Sequence, residues 1–125
     1  MEEVMTSKQL EKIRKIAGHY GYESQSRQCI EEMAELTQAI NKLWRTQNDM
    51  KDLDSFHYHP ELIVARERVV EKLADVQIMV SQLSHLLGSD EGELDGYINE
   101  KLDRQIKRME EENAGNEFDD EKGFD

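Results

Sequence analysis

Disulfide pairs, membrane-length apolar runs and proline-rich segments are all missing from this 125-residue chain. Its one cysteine, Cys29, cannot form an internal bridge, which excludes a disulfide-stapled fold and leaves either a packing residue or a reactive thiol. No apolar stretch approaches the roughly 18 residues that a membrane helix requires. The opening MEEVMTSKQL has neither the basic start nor the apolar centre of a secretory signal, so the expected location is the cytoplasm. There is no internal repeat and no hairpin turn signal. Positive charge is also scarce: 16 Lys and Arg stand against 28 Asp and Glu, for a net charge of -12. Such a balance excludes a broad electrostatic grip on a nucleic acid polymer or an anionic membrane. Eight acids and one lysine crowd between Glu110 and Asp125, so the remainder is only mildly acidic.

What is present is helical pattern. Hydrophobic residues at 37% and charged residues at 35% suit amphipathic helices. Thr6 with Gln9 fits a capping box, followed by Leu10, Ile13, Ile16 and Ala17 at helical spacing until Gly18 and Gly21 loosen the chain. A second helix is expected from about Ser24 to Gln47, with Ile30, Met33, Leu36, Ile40, Leu43 and Trp44 in one arc. Asn48 to His59 reads as the main loop. Pro60 suits the first turn of a third helix that Gly88 closes. Asp90 and Glu93 offer a capping box for a fourth, running through Ile98, Leu102, Ile106 and Met109. The expected architecture is an all-α bundle of about four principal helices over residues 1–112, with a disordered acidic tail over 113–125. A domain this small buries only about two-thirds of its unfolded surface, so a homo-oligomer is expected.

The chemistry-bearing residues are carboxylates. Within Glu31-Glu32-Met33-Ala34-Glu35, a spacing of three sets Glu32 and Glu35 about 60° apart on one side of the helix, where they can share a cation or form a solvated acidic face. Asp75 projects into the same sector as Met79, Leu83 and Leu86. A carboxylate on a burying face needs a metal or a cation as partner. Glu71 lies one turn earlier, about 40° from Asp75. Together these form an oxygen-rich set suited to Mg²⁺ or Mn²⁺.

CIEEMAELTQAINKLWR followed by VVEKLADVQIMVSQL resembles the MazG-like nucleoside triphosphate pyrophosphohydrolases, an all-α family. The likeness spans roughly Gly21 to Met109 and rests on EExxE followed by ExxD on consecutive helices. It implies Mg²⁺-dependent cleavage between the α and β phosphates of a nucleoside or deoxynucleoside triphosphate, in a homodimer or a tetramer of dimers. Glu31, Glu32, Glu35 and Asp75 match the family's acidic positions. Three residues before Asp75, where the family has its fourth glutamate, this chain has Lys72; Glu71 matches the first of two successive glutamates in relatives. That change implies a shifted ligand, a cation that meets phosphate, or an inactive site. Spacing favours the first, with Glu71 as ligand.

Glu32 and Glu35 are the candidates for deprotonating an attacking water. Lys101 and Arg104 are the phosphate-binding cations the resemblance implies, with Lys42 and Arg45 next and Arg108 explained equally by the helix dipole. Gln25 occupies the polar position ahead of EExxE and is read as a contact to base or sugar, or as a surface glutamine. Trp44 reads as packing, and His57 with His59 as loop.

Overall fold

A computed structural model describes residues 5–50, 59–89 and 91–122, the side chains of 91 and 117–122 excepted. Among the described residues every regular element is a helix: α1 (Ser7–Met50), α2 (Pro60–Leu86) and α3 (Glu91–Lys122). The chain divides into two compact units, Met1–Gly88 and Ser89–Asp125. The division between the units follows the turn after α2.

Local signals set the helix ends. At the start of α1 the Thr6 amide donates to Gln9 Oε1 at 2.8 Å, and the Gln9 amide returns a bond to Thr6 Oγ1 at 3.2 Å, which is the reciprocal capping box. Pro60 opens α2 where its missing N–H costs nothing. At the other end Gly88, at φ 70°, donates its amide to the His85 carbonyl at 3.0 Å, satisfying one of the carbonyls a helix end leaves free.

Two expected boundaries move. The stretches read as separate first and second helices run together as α1, interrupted only at Gly21 (φ 83°, ψ 172°). One glycine in a helix costs only about 1 kcal/mol against alanine, so Gly18 stays helical while Gly21 alone leaves the helical region. Among the described residues the helices are thus three, the first kinked. The stretch read as a tail is helical through Lys122, because no proline follows Pro60 and Gly115 alone is too weak a breaker to stop α3. Asp90 and residues 51–58, on which the second capping box and most of the expected loop fall, lie outside the described residues; Asn48 to Met50 belong to α1.

The backbone at Gly21 occupies a region that side chains reject, although nothing stands within 4 Å of an added Cβ. Gly21→Ala is accordingly expected to destabilise the chain by about 1–3 kcal/mol through backbone strain alone. Urea unfolding followed by helix signal checks this, with Gly18→Ala, in open helix, as the neutral or stabilising comparison.

In the first unit α1 and α2 pack antiparallel, as shown by Gln25 meeting Gln82 and Glu35 meeting Lys72. The seam repeats every seven residues: Gln25, Glu32, Ala39 and Thr46 on α1, and Ala65, Lys72 and Met79 on α2, all buried or half-buried. A second repeat of buried or half-buried apolar residues accompanies it, Cys29, Leu36, Leu43 and Met50 on α1 and Leu62, Val69, Val76 and Leu83 on α2. The apolar arc expected to form the core is thus split: Leu36 and Leu43 are half-buried, while Ile30, Met33, Ile40 and Trp44 are exposed. Gln25 and Lys72 take inward positions with hydrogen-bond partners on the facing helix, whereas Thr46 bonds the Lys42 carbonyl of its own helix. No helix among the described residues is long and apolar enough to cross a membrane.

Candidate carboxylate and lysine site

One ionic group occupies the middle of the α1–α2 seam. The seven-residue repeat turns Lys72 inward, leaving it only 7% exposed. Its ammonium donates to Glu35 Oε2 at 2.6 Å and to Asp75 Oδ2 at 3.3 Å, with Glu32 Oε2 3.8 Å away. Three carboxylates from two helices therefore face one positive charge, an excess of two negative charges. Glu32 Oε1 accepts from Gln28 Nε2 at 3.0 Å, but its Oε2 is buried without a hydrogen-bond partner. A buried acceptor left unpaired costs about 1–3 kcal/mol, so this oxygen calls for a further cation or donor.

The ion pairs set the charge states. The hydrogen bond and charge of Lys72 pull the Glu35 carboxyl below the usual range, against a smaller opposing effect of burial. The hydrogen bond from Lys72 to Glu35, with a second to Asp75, raises the lysine above its usual value despite burial and despite the nearby charge of Arg68. A lowered carboxyl adds stability above the ordinary value of about 4.3, lost as pH falls through its folded value. A raised lysine adds stability below about 10.4, lost as pH rises through its folded value. The urea midpoint is therefore expected to hold a plateau between these limits and to decline on both sides. In Lys72→Met the alkaline decline should vanish and acidification should stabilise, since protonation relieves three carboxylates left facing one another. Identical pH profiles for the two proteins would contradict this.

The other expected site residues are distributed differently. Glu71 does not join the group: it is exposed and its carboxylate meets Arg68 at 3.4 Å. The adjacent Lys72 holds the seam position, and neighbouring side chains on a helix diverge by about 100°. Glu31 is exposed as well. Gln25 is not a surface glutamine. Its Nε2 donates to Gln82 Oε1 at 2.7 Å, its Oε1 accepts from Ser24 Oγ at 3.1 Å, and both glutamines are buried. Cys29 is buried beside this pair in the sequence register, and burial pushes its thiol up, against the reactive reading. Lys42 and Arg45 are exposed on α1, and Lys42 lines a cavity with Arg68. Lys101 and Arg104 are exposed on α3, in the second unit, with Arg104 paired to Glu100 at 2.8 Å. Among the described residues no three Asp, Glu, His or Cys side chains are gathered closely enough to hold a metal as they stand. Lys72 stands where such a gathering would form.

Gln82 and Arg68 went unnoticed in the sequence. Each had a signal: Arg68, Lys72, Asp75, Met79 and Gln82 follow spacings of four, three, four and three, one stripe of α2.

No family model, curated protein or solved structure matches the chain.

Proposed function

We propose that the chain is a Mg²⁺-dependent nucleoside triphosphate pyrophosphohydrolase of the MazG-like kind, converting a nucleoside or deoxynucleoside triphosphate to the monophosphate and pyrophosphate. The observation that carries this reading is the buried Oε2 of Glu32, which accepts no hydrogen bond and meets the Lys72 ammonium only at 3.8 Å, within a carboxylate group holding one cation for three anions. An all-oxygen donor set with surplus negative charge fits a hard divalent ion. Glu32, Glu35 and Asp75 would hold it, with Mn²⁺ as a substitute for Mg²⁺. Bound there, the ion would offset charge on the phosphates and lower the pKa of a water.

The chain's own residues supply the rest. Glu35, half-exposed and kept ionised by Lys72, offers a charged carboxylate at neutral pH to orient the attacking water, and gains basicity if Lys72 moves away. Glu32 is held by Gln28 and serves as the more rigid ligand. Lys72, on a flexible four-carbon stem, would exchange a carboxylate for a phosphate oxygen as substrate enters. Hydrolysis adds water across the bridge between the α and β phosphates and releases both products as anions.

A second reading is favoured by one observation: Lys72 already satisfies Glu35 and Asp75. A permanent internal cation would make the chain a nucleotide-binding or regulatory protein without hydrolysis. A panel of ribo- and deoxyribonucleoside triphosphates with Mg²⁺, read by pyrophosphate release and by binding calorimetry, separates the two. Release supports the enzyme, binding without release supports the second reading, and neither response overturns both.

The exposed apolar side chains support assembly. Ile30, Met33, Ile40 and Trp44 on α1, with Ile63, Val70 and Leu73 on α2, are exposed large apolar side chains of the kind that mark interaction surfaces when contiguous. A homodimer, or a tetramer of dimers, would cover it. Light scattering at micromolar concentration is expected to give at least twice the 14.6 kDa chain mass; a monomeric mass would refute the assembly.

A further inference from the structure

A cavity of about 530 Å³ opens between α1 and α2, toward the α2 N-terminus from the carboxylates, and Lys42, Thr46, Val64, Ala65 and Arg68 line it. It is an open cleft: Lys42, Glu61, Val64 and Arg68 are exposed, and Ala65 forms its buried floor. Along α2, Arg68 precedes Lys72 by one turn, about 6 Å of axial rise. Along α1, Lys42 follows Glu35 by two turns, about 10 Å. Three cations from two helices thus succeed one another from the carboxylate group into the cavity.

Two of the three are open to a ligand. Among the described residues the Lys42 ammonium has no ion-pair partner. Arg68 meets only Glu71, at 3.4 Å through one nitrogen with both side chains more than half exposed, a loose pair that leaves most guanidinium donors unused. Val64 and Ala65 supply the apolar part of the lining. Glu61 supplies one opposing charge at the lining. A guanidinium fork and an ammonium spaced along a cleft match a chain of phosphates better than a single carboxylate.

We propose that this cleft takes the polyphosphate chain of a nucleotide, with Arg68 holding the phosphate nearest the carboxylates and Lys42 the one farther out. The proposal rests on the nucleotide-hydrolysing reading and adds Arg68, a residue outside the EExxE and ExxD patterns, to it. The test uses tripolyphosphate as probe, titrated calorimetrically into the full chain and into Arg68→Gln, Lys42→Gln and Lys12→Gln. In parallel, pyrophosphate release from the nucleotide panel is measured for all four proteins. Binding weakened about tenfold by each of the first two changes, and unaltered by Lys12→Gln, is the expected result. Equal loss in all three variants would reduce the effect to overall charge and overturn the cleft. Tripolyphosphate binding indifferent to Arg68 and Lys42, or absent while nucleotides still release pyrophosphate, would overturn the cleft and leave the enzymatic reading intact. Absence of both binding and release would overturn both.

Discussion

Lys72→Glu is expected to raise Mn²⁺ affinity by at least about tenfold, because it exchanges a repelling charge for an attracting one at the centre of three carboxylates. The wild-type ammonium lies within 4 Å of oxygens from Glu32, Glu35 and Asp75, so any divalent ion must compete with it for the same atoms. Replacing it builds a four-carboxylate set of the kind metals bind. The same change has a second consequence without metal. Four carboxylates facing one another repel, so the variant should melt below wild type in chelator and recover as Mn²⁺ is added, since a ligand of the native state alone stabilises it. Glu71→Gln should leave Mn²⁺ affinity at its wild-type value, as that carboxylate points away with Arg68. Calorimetric titration of the three proteins checks all of this. Equal affinity in wild type and Lys72→Glu would show that Lys72 does not occupy the cation's position, and a large loss in Glu71→Gln would reinstate Glu71 as a ligand.

Asp75→Asn is expected to lower Mg²⁺-dependent pyrophosphate release by about a hundredfold or more while leaving helix content intact. The amide preserves shape but removes the charge, and Asp75 is half-exposed at the seam edge, where an amide is tolerated. Removing this carboxylate also frees Lys72 from one partner, so phosphate binding should persist while hydrolysis fails. That separation distinguishes loss of a metal ligand from loss of fold. Unchanged release in Asp75→Asn would remove the residue from the site.

Much was legible without the fold where the physics is local. Thr6 and Gln9 cap α1 as their spacing implies, and Pro60 and Gly88 bound α2, because these features depend only on residues within a turn of each other. Glu32, Glu35 and Asp75 meet around one lysine, and part of this was legible: helical projection set Glu32 and Glu35 on one side of α1 and Asp75 on a burying face of α2. The mistakes came where two neighbouring positions compete. Glu71 and Lys72 differ by one residue, and spacing from Asp75 allowed either to face inward; the seven-residue repeat across the seam selected Lys72. Gln25 and Gln82 are separated by 57 residues, and nothing local marks them as partners.

Helix content, capping, the kink at a glycine and the acidic stripe were determined by the sequence itself, because hydrogen bonds and side-chain spacing within a helix repeat over three or four residues. Only the tertiary structure decided which stripe of α1 meets which stripe of α2. That choice inserted a lysine among the carboxylates, paired two buried glutamines and left Ile30, Met33, Ile40 and Trp44 of the apolar arc exposed. The reason is that burial is a property of pairs of faces: an ion or an amide enters a seam when the opposing helix supplies its partner, and hydrophobic periodicity in one helix carries no information about that partner.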